Sequence, residues 1–70
     1  MKLIQNFSEI KIGDTLKIKF RSGDEAIVKV TSFADKTHIY CDILVASSGV
    51  QKDWIGIIPN DFKFHKFYRL

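Results

Sequence analysis

Residues 15–30 read TLKIKFRSGDEAIVKV, and this stretch decides the fold class. Apolar residues occupy every second position on both sides of a central Ser-Gly-Asp: Leu16, Ile18, Phe20, Ala26, Val28 and Val30. A period of two places them on one face of an extended chain, and Gly23 tolerates the positive φ of a tight turn. The stretch therefore predicts a β-hairpin with one buried face. Ile27 and Phe33 break the alternation, which indicates a covered outer face or a bulge.

The same period of two continues outward from the hairpin. We predict strands over residues 38–46 and 51–58, a last extended segment over 62–70, and a short strand over 2–7 that pairs with it. In 38–46 the residues on one face are Ile39, Cys41, Ile43 and Val45. No window of ten residues carries a helical stripe, so we expect almost no helix. Five or six short strands with turns between them predict a small all-β barrel or sandwich.

Composition bounds the class of protein. Seventy residues fit one domain, 1–70, and a hydrophobic fraction of 46% favours a packed core over disorder. A single Cys forms no internal disulfide, and the first residues lack the apolar stretch of a signal peptide, so we expect a cytoplasmic protein. No apolar run is long enough for a membrane span. The net charge of +3 is a mild basic bias that alone decides nothing.

Two short segments resemble Src-homology-3 domains. Residues 8–16, SEIKIGDTL, are similar to that family's diverging turn, where an acidic-apolar stretch leads to Gly-Asp and then a basic-apolar strand. Residues 56–62, GIIPNDF, are similar to its closing Gly-x-Ile-Pro-x-Asn-Tyr stretch, where the proline begins a short helical turn before the last strand. The resemblance implies a five- or six-stranded SH3-like barrel. The family's peptide-groove motifs are absent, so no binding residue follows from it.

No catalytic or metal-binding pattern is visible. His38 and Cys41 are three residues apart, which puts them on opposite faces of a strand, and Cys41 shares the apolar face, as a buried thiol would. Two His and one Cys make no zinc set, and the four Gly are isolated. Most acids fall in predicted turns, where Asp commonly bonds its own backbone. We expect a non-catalytic module that needs no metal, cofactor or small-molecule substrate.

The bases, in contrast, lie on strand faces. Lys17, Lys19 and Arg21 share the polar face of one strand, and Lys29 lies on its predicted partner. If the two strands pair, the four bases form one solvent face, which can bind nucleic-acid phosphates by displacing counterions. The alternative is that exposed strand lysines only block edge-to-edge aggregation.

The C-terminal segment is a second candidate for nucleic-acid binding. With an extended backbone, Lys63, His65, Phe67 and Arg69 share one face, and Phe62, Phe64, Tyr68 and Leu70 share the other, which we expect to be core. The first set mixes cations with an aromatic ring, a combination that stacks on bases and pairs with phosphates. The alternative is that Phe67 packs under a neighbouring strand.

Protein binding remains open as a second function. An exposed Trp54, with Tyr40 and Phe67, would form an apolar interface for an adaptor or for a small inhibitor of the kind that a phage or mobile element encodes. A sheet edge could also accept a partner's strand. We favour nucleic acid or nucleic-acid machinery as the partner, because the bases lie on strand faces whereas most acids lie in turns. An acidic protein surface is the other partner that such a basic face would fit.

Overall fold

The computed structural model describes all 70 residues, which form one six-stranded antiparallel sheet. The strands are β1 (Lys2–Ile4), β2 (Thr15–Lys19), β3 (Glu25–Asp35), β4 (His38–Ala46), β5 (Trp54–Ile57) and β6 (Lys66–Arg69). Two short 3-10 turns, η1 (Phe7–Glu9) and η2 (Pro59–Lys63), are the only helical elements, and neither could cross a membrane. The all-β prediction and the near absence of helix are confirmed.

The sheet order is β1-β6-β2-β3-β4-β5, so β1 and β5 are the two edges. The ladder is not closed, an arrangement compatible with a barrel-like fold. The predicted pairing of the N-terminal strand with the last strand is confirmed, because Leu3 lies opposite Tyr68 in an antiparallel register.

The hairpin predicted from residues 15–30 is present. β2 and β3 pair with Leu16 opposite Val28 and Ile18 opposite Ala26, and all four side chains are buried. Gly23 in the connecting turn has φ +97°, a left-handed conformation that side chains other than glycine adopt at a cost. The period of two therefore set both the register and the buried face.

One compact apolar core holds the sheet together. Its eleven buried residues are all hydrophobic: Ile4, Ile10, Leu16, Ile18, Ala26, Val28, Val30, Ile39, Cys41, Ile57 and Phe67. The Phe62 ring stacks on the Phe67 ring with centroids 4.3 Å apart, which extends the core to the surface at η2.

A bulge in β4 corrects the predicted face of Val45. Ile27 pairs with Val45 and Val28 pairs with Ile43, so Leu44 is an extra residue with no partner in the register. The inserted residue turns Val45 outward, where 63% of it is exposed. The prediction that Val45 shares the buried face is wrong for this reason.

The C-terminal segment starts as a helical turn rather than a strand. Pro59 opens η2, where its missing N–H is not needed, and the Asp61 carboxylate accepts the Ile58 N–H at 2.9 Å. The helical turn that the family resemblance implied before the last strand is therefore present. The prediction of an extended chain from residue 62 is wrong, because β6 begins at Lys66.

Because β6 starts later than predicted, the residues of this segment that face the core differ from the predicted ones. Phe67 is buried, whereas the expected core residues Phe64 and Leu70 are 47% and 54% exposed. Lys66 and Tyr68 instead take the outward positions of β6, opposite Lys19 and Lys17 of β2.

Candidate nucleic-acid interface

Four lysines project from the side of the sheet that faces away from the core. Lys17 and Lys19 alternate with buried residues of β2, Lys29 with those of β3, and Lys66 precedes the buried Phe67 in β6. Because β6, β2 and β3 are neighbours in the sheet, these side chains share one surface. We call Lys17, Lys19, Lys29 and Lys66 the lysine face.

Two of these lysines lie directly opposite each other. Lys19 of β2 and Lys66 of β6 are cross-strand partners, and neither has a carboxylate within ion-pair distance. Opposed side chains of an antiparallel pair start about 4.5–5.5 Å apart at Cβ, and like charges in that position destabilise the pair. An anion bound between them would relieve this repulsion.

Around this pair, Lys17 and Lys19 contact residues diagonally across the strands rather than the residues directly opposite them. Glu25 lies opposite Lys19 in the register, yet its carboxylate pairs with Lys17, with Nζ to Oε1 at 3.1 Å. The Lys19 ammonium lies over the Tyr68 ring, 5.7 Å from its centroid, a cation–π distance. Glu25 thus forms its ion pair with Lys17, and Lys19 has no carboxylate within ion-pair distance.

The margins of the lysine face are formed by its own member Lys29 and by one further predicted residue, Arg21. Lys29 is exposed and sits opposite Asp42 of β4, without a close ion pair. Arg21 lies beyond the end of β2, in the turn to β3. Its backbone N–H donates to His65 Nδ1 at 2.9 Å, and its guanidinium lies 6.0 Å from the Phe64 ring. Arg21 and the half-buried His65 therefore belong together at one end of the face.

Arg69 is held inside the fold rather than presented to a ligand. Its Nη2 and Nε lie 3.1 and 3.3 Å from Asp14 Oδ2, and Nη2 also donates to the Glu9 carbonyl. The Arg69 and Asp14 side chains are 30% and 18% exposed. These bonds tie the segment before β2 to the last strand, so the Arg69 charge that was predicted to bind nucleic acid is already paired with Asp14.

Phe67 and Lys63 also fall outside the surface predicted from the C-terminal segment. Phe67 is only 2% exposed, so it can neither stack on a base nor join a protein interface with Trp54. Lys63 ends η2 and is on no strand face. The sequence prediction missed Lys66 and Tyr68, which the break at Pro59 could have revealed, since a helical turn there delays the last strand.

A separate aromatic pair lies across β4 and β5. Trp54 and Tyr40 are 58% and 45% exposed, and their rings meet edge to face with centroids 5.8 Å apart. Together with Thr31 and Asp42 they border a shallow depression of about 330 Å³. Trp54 and Tyr40 are thus exposed, which is the condition on which the predicted protein interface depended, and the two side chains are in contact.

Outside the lysine face, burial or hydrogen bonding shifts the pKa of two side chains, Cys41 and Asp35. Cys41 is buried, as predicted, and burial together with the Asp42 charge raises the pKa of its thiol to about 12. At the tip of the β3–β4 hairpin, hydrogen bonds from His38 and Thr37 lower the pKa of Asp35 to about 2. No three His, Cys, Asp or Glu side chains come together as metal ligands would.

The chain was compared with family models, curated proteins and solved structures, and none of them matches it.

Proposed function

We propose that this protein is a non-catalytic binding module that engages nucleic acid, alone or within nucleic-acid machinery, through the lysine face. The opposed Lys19 and Lys66 carry this proposal, because two neighbouring cations without an ion pair form a site for a phosphate. Strand backbones hold both residues, so their spacing does not depend on a flexible loop.

An SH3-like barrel is the fold that we propose for this module. The helical turn at Pro59 before the last strand and the contact between Asp14 and Arg69 support it, because both lie in or next to the segments that resemble the family. The groove motifs of that family are missing, so binding through the sheet face is a separate property of this chain.

The binding should depend on salt by an amount that the structure sets. Lys19, Lys29 and Lys66 have no close ion pair, so about three phosphates can be neutralised. The logarithm of the association constant should then fall with the logarithm of salt concentration with a slope of about −2.7 for a duplex and about −2 for a single strand. Between 50 and 200 mM salt this is a loss of about 40-fold for the duplex.

Fluorescence anisotropy of labelled 12-nucleotide DNA and RNA, in single-stranded and duplex form, tests the proposal. Lys19→Gln combined with Lys66→Gln should weaken binding and make the salt slope shallower by roughly 2. Lys36→Gln is the matched control, since this exposed lysine lies in the turn between β3 and β4. Equal losses in the control and in the double variant would rule out a specific role for the lysine face.

A protein partner is the second candidate, and the Tyr40–Trp54 pair supports it. Exposed Trp and Tyr are the residues most enriched at interface hot spots, and these two already hold each other's orientation. Binding there should respond little to salt and should be lost in Trp54→Ala, with Phe64→Ala as a control for removal of another exposed ring. A pull-down that recovers the same partners with both variants would reject this surface.

A further inference from the structure

A cleft opens at one end of the lysine face. It lies between the β2–β3 turn, the β4–β5 loop and the residue before β6, is open to solvent, and has a volume of about 690 Å³. This volume falls in the range of small-ligand sites, about 300–1,000 Å³. Phe20, Val50 and Ile55 supply its apolar surface, and each is only partly buried.

The charge of the cleft is positive. Arg21 and Lys52 line it, and neither forms an ion pair. Asp24 is the only acid in the lining, and both of its oxygens are already occupied. Oδ2 accepts the Ser22 hydroxyl at 3.1 Å, and Oδ1 accepts the Ser47 hydroxyl at 3.0 Å. An anionic group therefore meets two cations that have no ion pair and one acid whose two oxygens already accept hydrogen bonds.

The bonds of Asp24 also fix the width of the cleft. Ser47 donates to Asp24 and accepts the Glu25 N–H at 3.0 Å, which joins the residues after β4 to the β2–β3 turn. Gly49 lies so close to the Asp24 carboxylate that a Cβ there would overlap it. Two walls of the cleft are thus held together before any ligand arrives, which lowers the ordering cost of binding.

His65 adds a directed donor. Its Nδ1 accepts the Arg21 N–H, so in the neutral ring the hydrogen is on Nε2, which is free to donate. The ring also meets Phe20 edge to face, with centroids 5.3 Å apart. A planar ligand on the apolar surface would therefore have a hydrogen-bond donor and two cations within the same cleft.

We propose that this cleft holds one unpaired nucleotide of a single-stranded nucleic acid, with its base on Phe20 and Ile55 and its phosphate at Arg21 and Lys52. The inference rests on the proposed function and adds to it the class of nucleic acid. Arg21 follows Lys19 by two residues and His65 directly precedes Lys66, so a backbone bound on the lysine face leads into the cleft. A base inside a duplex cannot enter it without flipping, which costs free energy.

Anisotropy titrations with a labelled 12-nucleotide oligo-dT and with a 12-base-pair dA–dT duplex, at equal salt, test the inference. We expect the single strand to bind about tenfold more tightly, the effect of stacking about one base. Lys52→Gln and the cleft-filling Val50→Trp should reduce this preference and leave duplex binding within twofold. Lys66→Gln should weaken both complexes, and Lys36→Gln should change neither.

Methyl NMR gives a direct readout in the unmodified protein. Oligo-dT should shift the Ile55 and Val50 methyl signals upfield, because a stacked ring shields them, and thymidine monophosphate at millimolar concentration should shift the same signals. Equal affinity for both oligonucleotides, with these methyls unmoved, would refute the cleft and leave the lysine face standing. Absence of binding to either oligonucleotide at low salt would refute the proposed function, and this inference with it.

Discussion

Replacing Arg69 with alanine should destabilise the fold, although its sequence position suggests an exposed cation. Arg69 bonds the Asp14 carboxylate through two nitrogens and the Glu9 carbonyl through one of them. It is the charged side chain that joins the turn before β2 to the last strand. Arg69→Ala removes all these bonds and leaves the Asp14 carboxylate, only 18% exposed, without its cation.

The structure sets the size of this effect. Hydrogen bonds to charged groups contribute about 1.5–3 kcal/mol, whereas exposed ion pairs contribute about 0–1 kcal/mol. The Arg69 side chain is 30% exposed, so its environment lies between a buried hydrogen bond and an exposed ion pair. We therefore expect Arg69→Ala to lower the free energy of unfolding by about 2 kcal/mol. For a 70-residue domain the total stability is roughly 4–10 kcal/mol, and the loss should lower Tm by about 8–16 °C.

Urea unfolding followed by Trp54 fluorescence measures this free energy. A double-mutant cycle with Asp14→Ala should give a coupling of about 1 kcal/mol. The control is Arg21→Ala, because that guanidinium has no carboxylate partner and should matter by less than about 0.5 kcal/mol. An Arg69→Ala loss no larger than the control's would show that the contact to Asp14 does not hold the fold together.

Three further results are expected. Phe67→Ala should destabilise by about 3–5 kcal/mol in urea unfolding, because Phe67 is core, and retained stability would place it on the surface. The lowered pKa of Asp35 means that the folded state favours its charged form, so the contribution of Asp35 to stability is complete above about pH 4 and is lost as the pH falls towards about 2. Acid unfolding of Asp35→Asn should lack this loss of stability, and identical acid-unfolding curves for the variant and the unmodified protein would exclude it. The raised pKa of the buried Cys41 thiol should make its labelling by a thiol reagent slow in the native protein and fast in urea, whereas equally fast labelling would contradict its burial.

The sequence predicted those elements whose structure depends on neighbouring residues. The alternation in 15–30, with Ile27 as its one exception, was sufficient for β2, β3 and their buried face, because a one-residue slip would expose the whole apolar set. The exposure of Trp54 and its contact with Tyr40 were not predicted, because a lone Trp on a strand can pack in the core or lie exposed.

Features that depend on one inserted residue or one distant contact could not be predicted in the same way. The extra residue Leu44 reverses the face of Val45, and the turn at Pro59 shifts the alternation of β6, so Phe67 becomes core and Lys66 joins the lysine face. Arg69 reaches Asp14 across 55 residues, a pairing that no local pattern encodes. The candidate site therefore kept its β2–β3 half and changed its C-terminal half.

The most direct test of the lysine face is an amide NMR titration of labelled protein with short DNA and RNA at low and at physiological salt. We predict salt-sensitive shifts at Lys19, Lys66 and Lys29, with smaller ones at Lys17, which Glu25 already pairs. Shifts confined to Tyr40 and Trp54, or none at low salt, would contradict the proposal that this protein binds nucleic acid through the lysine face.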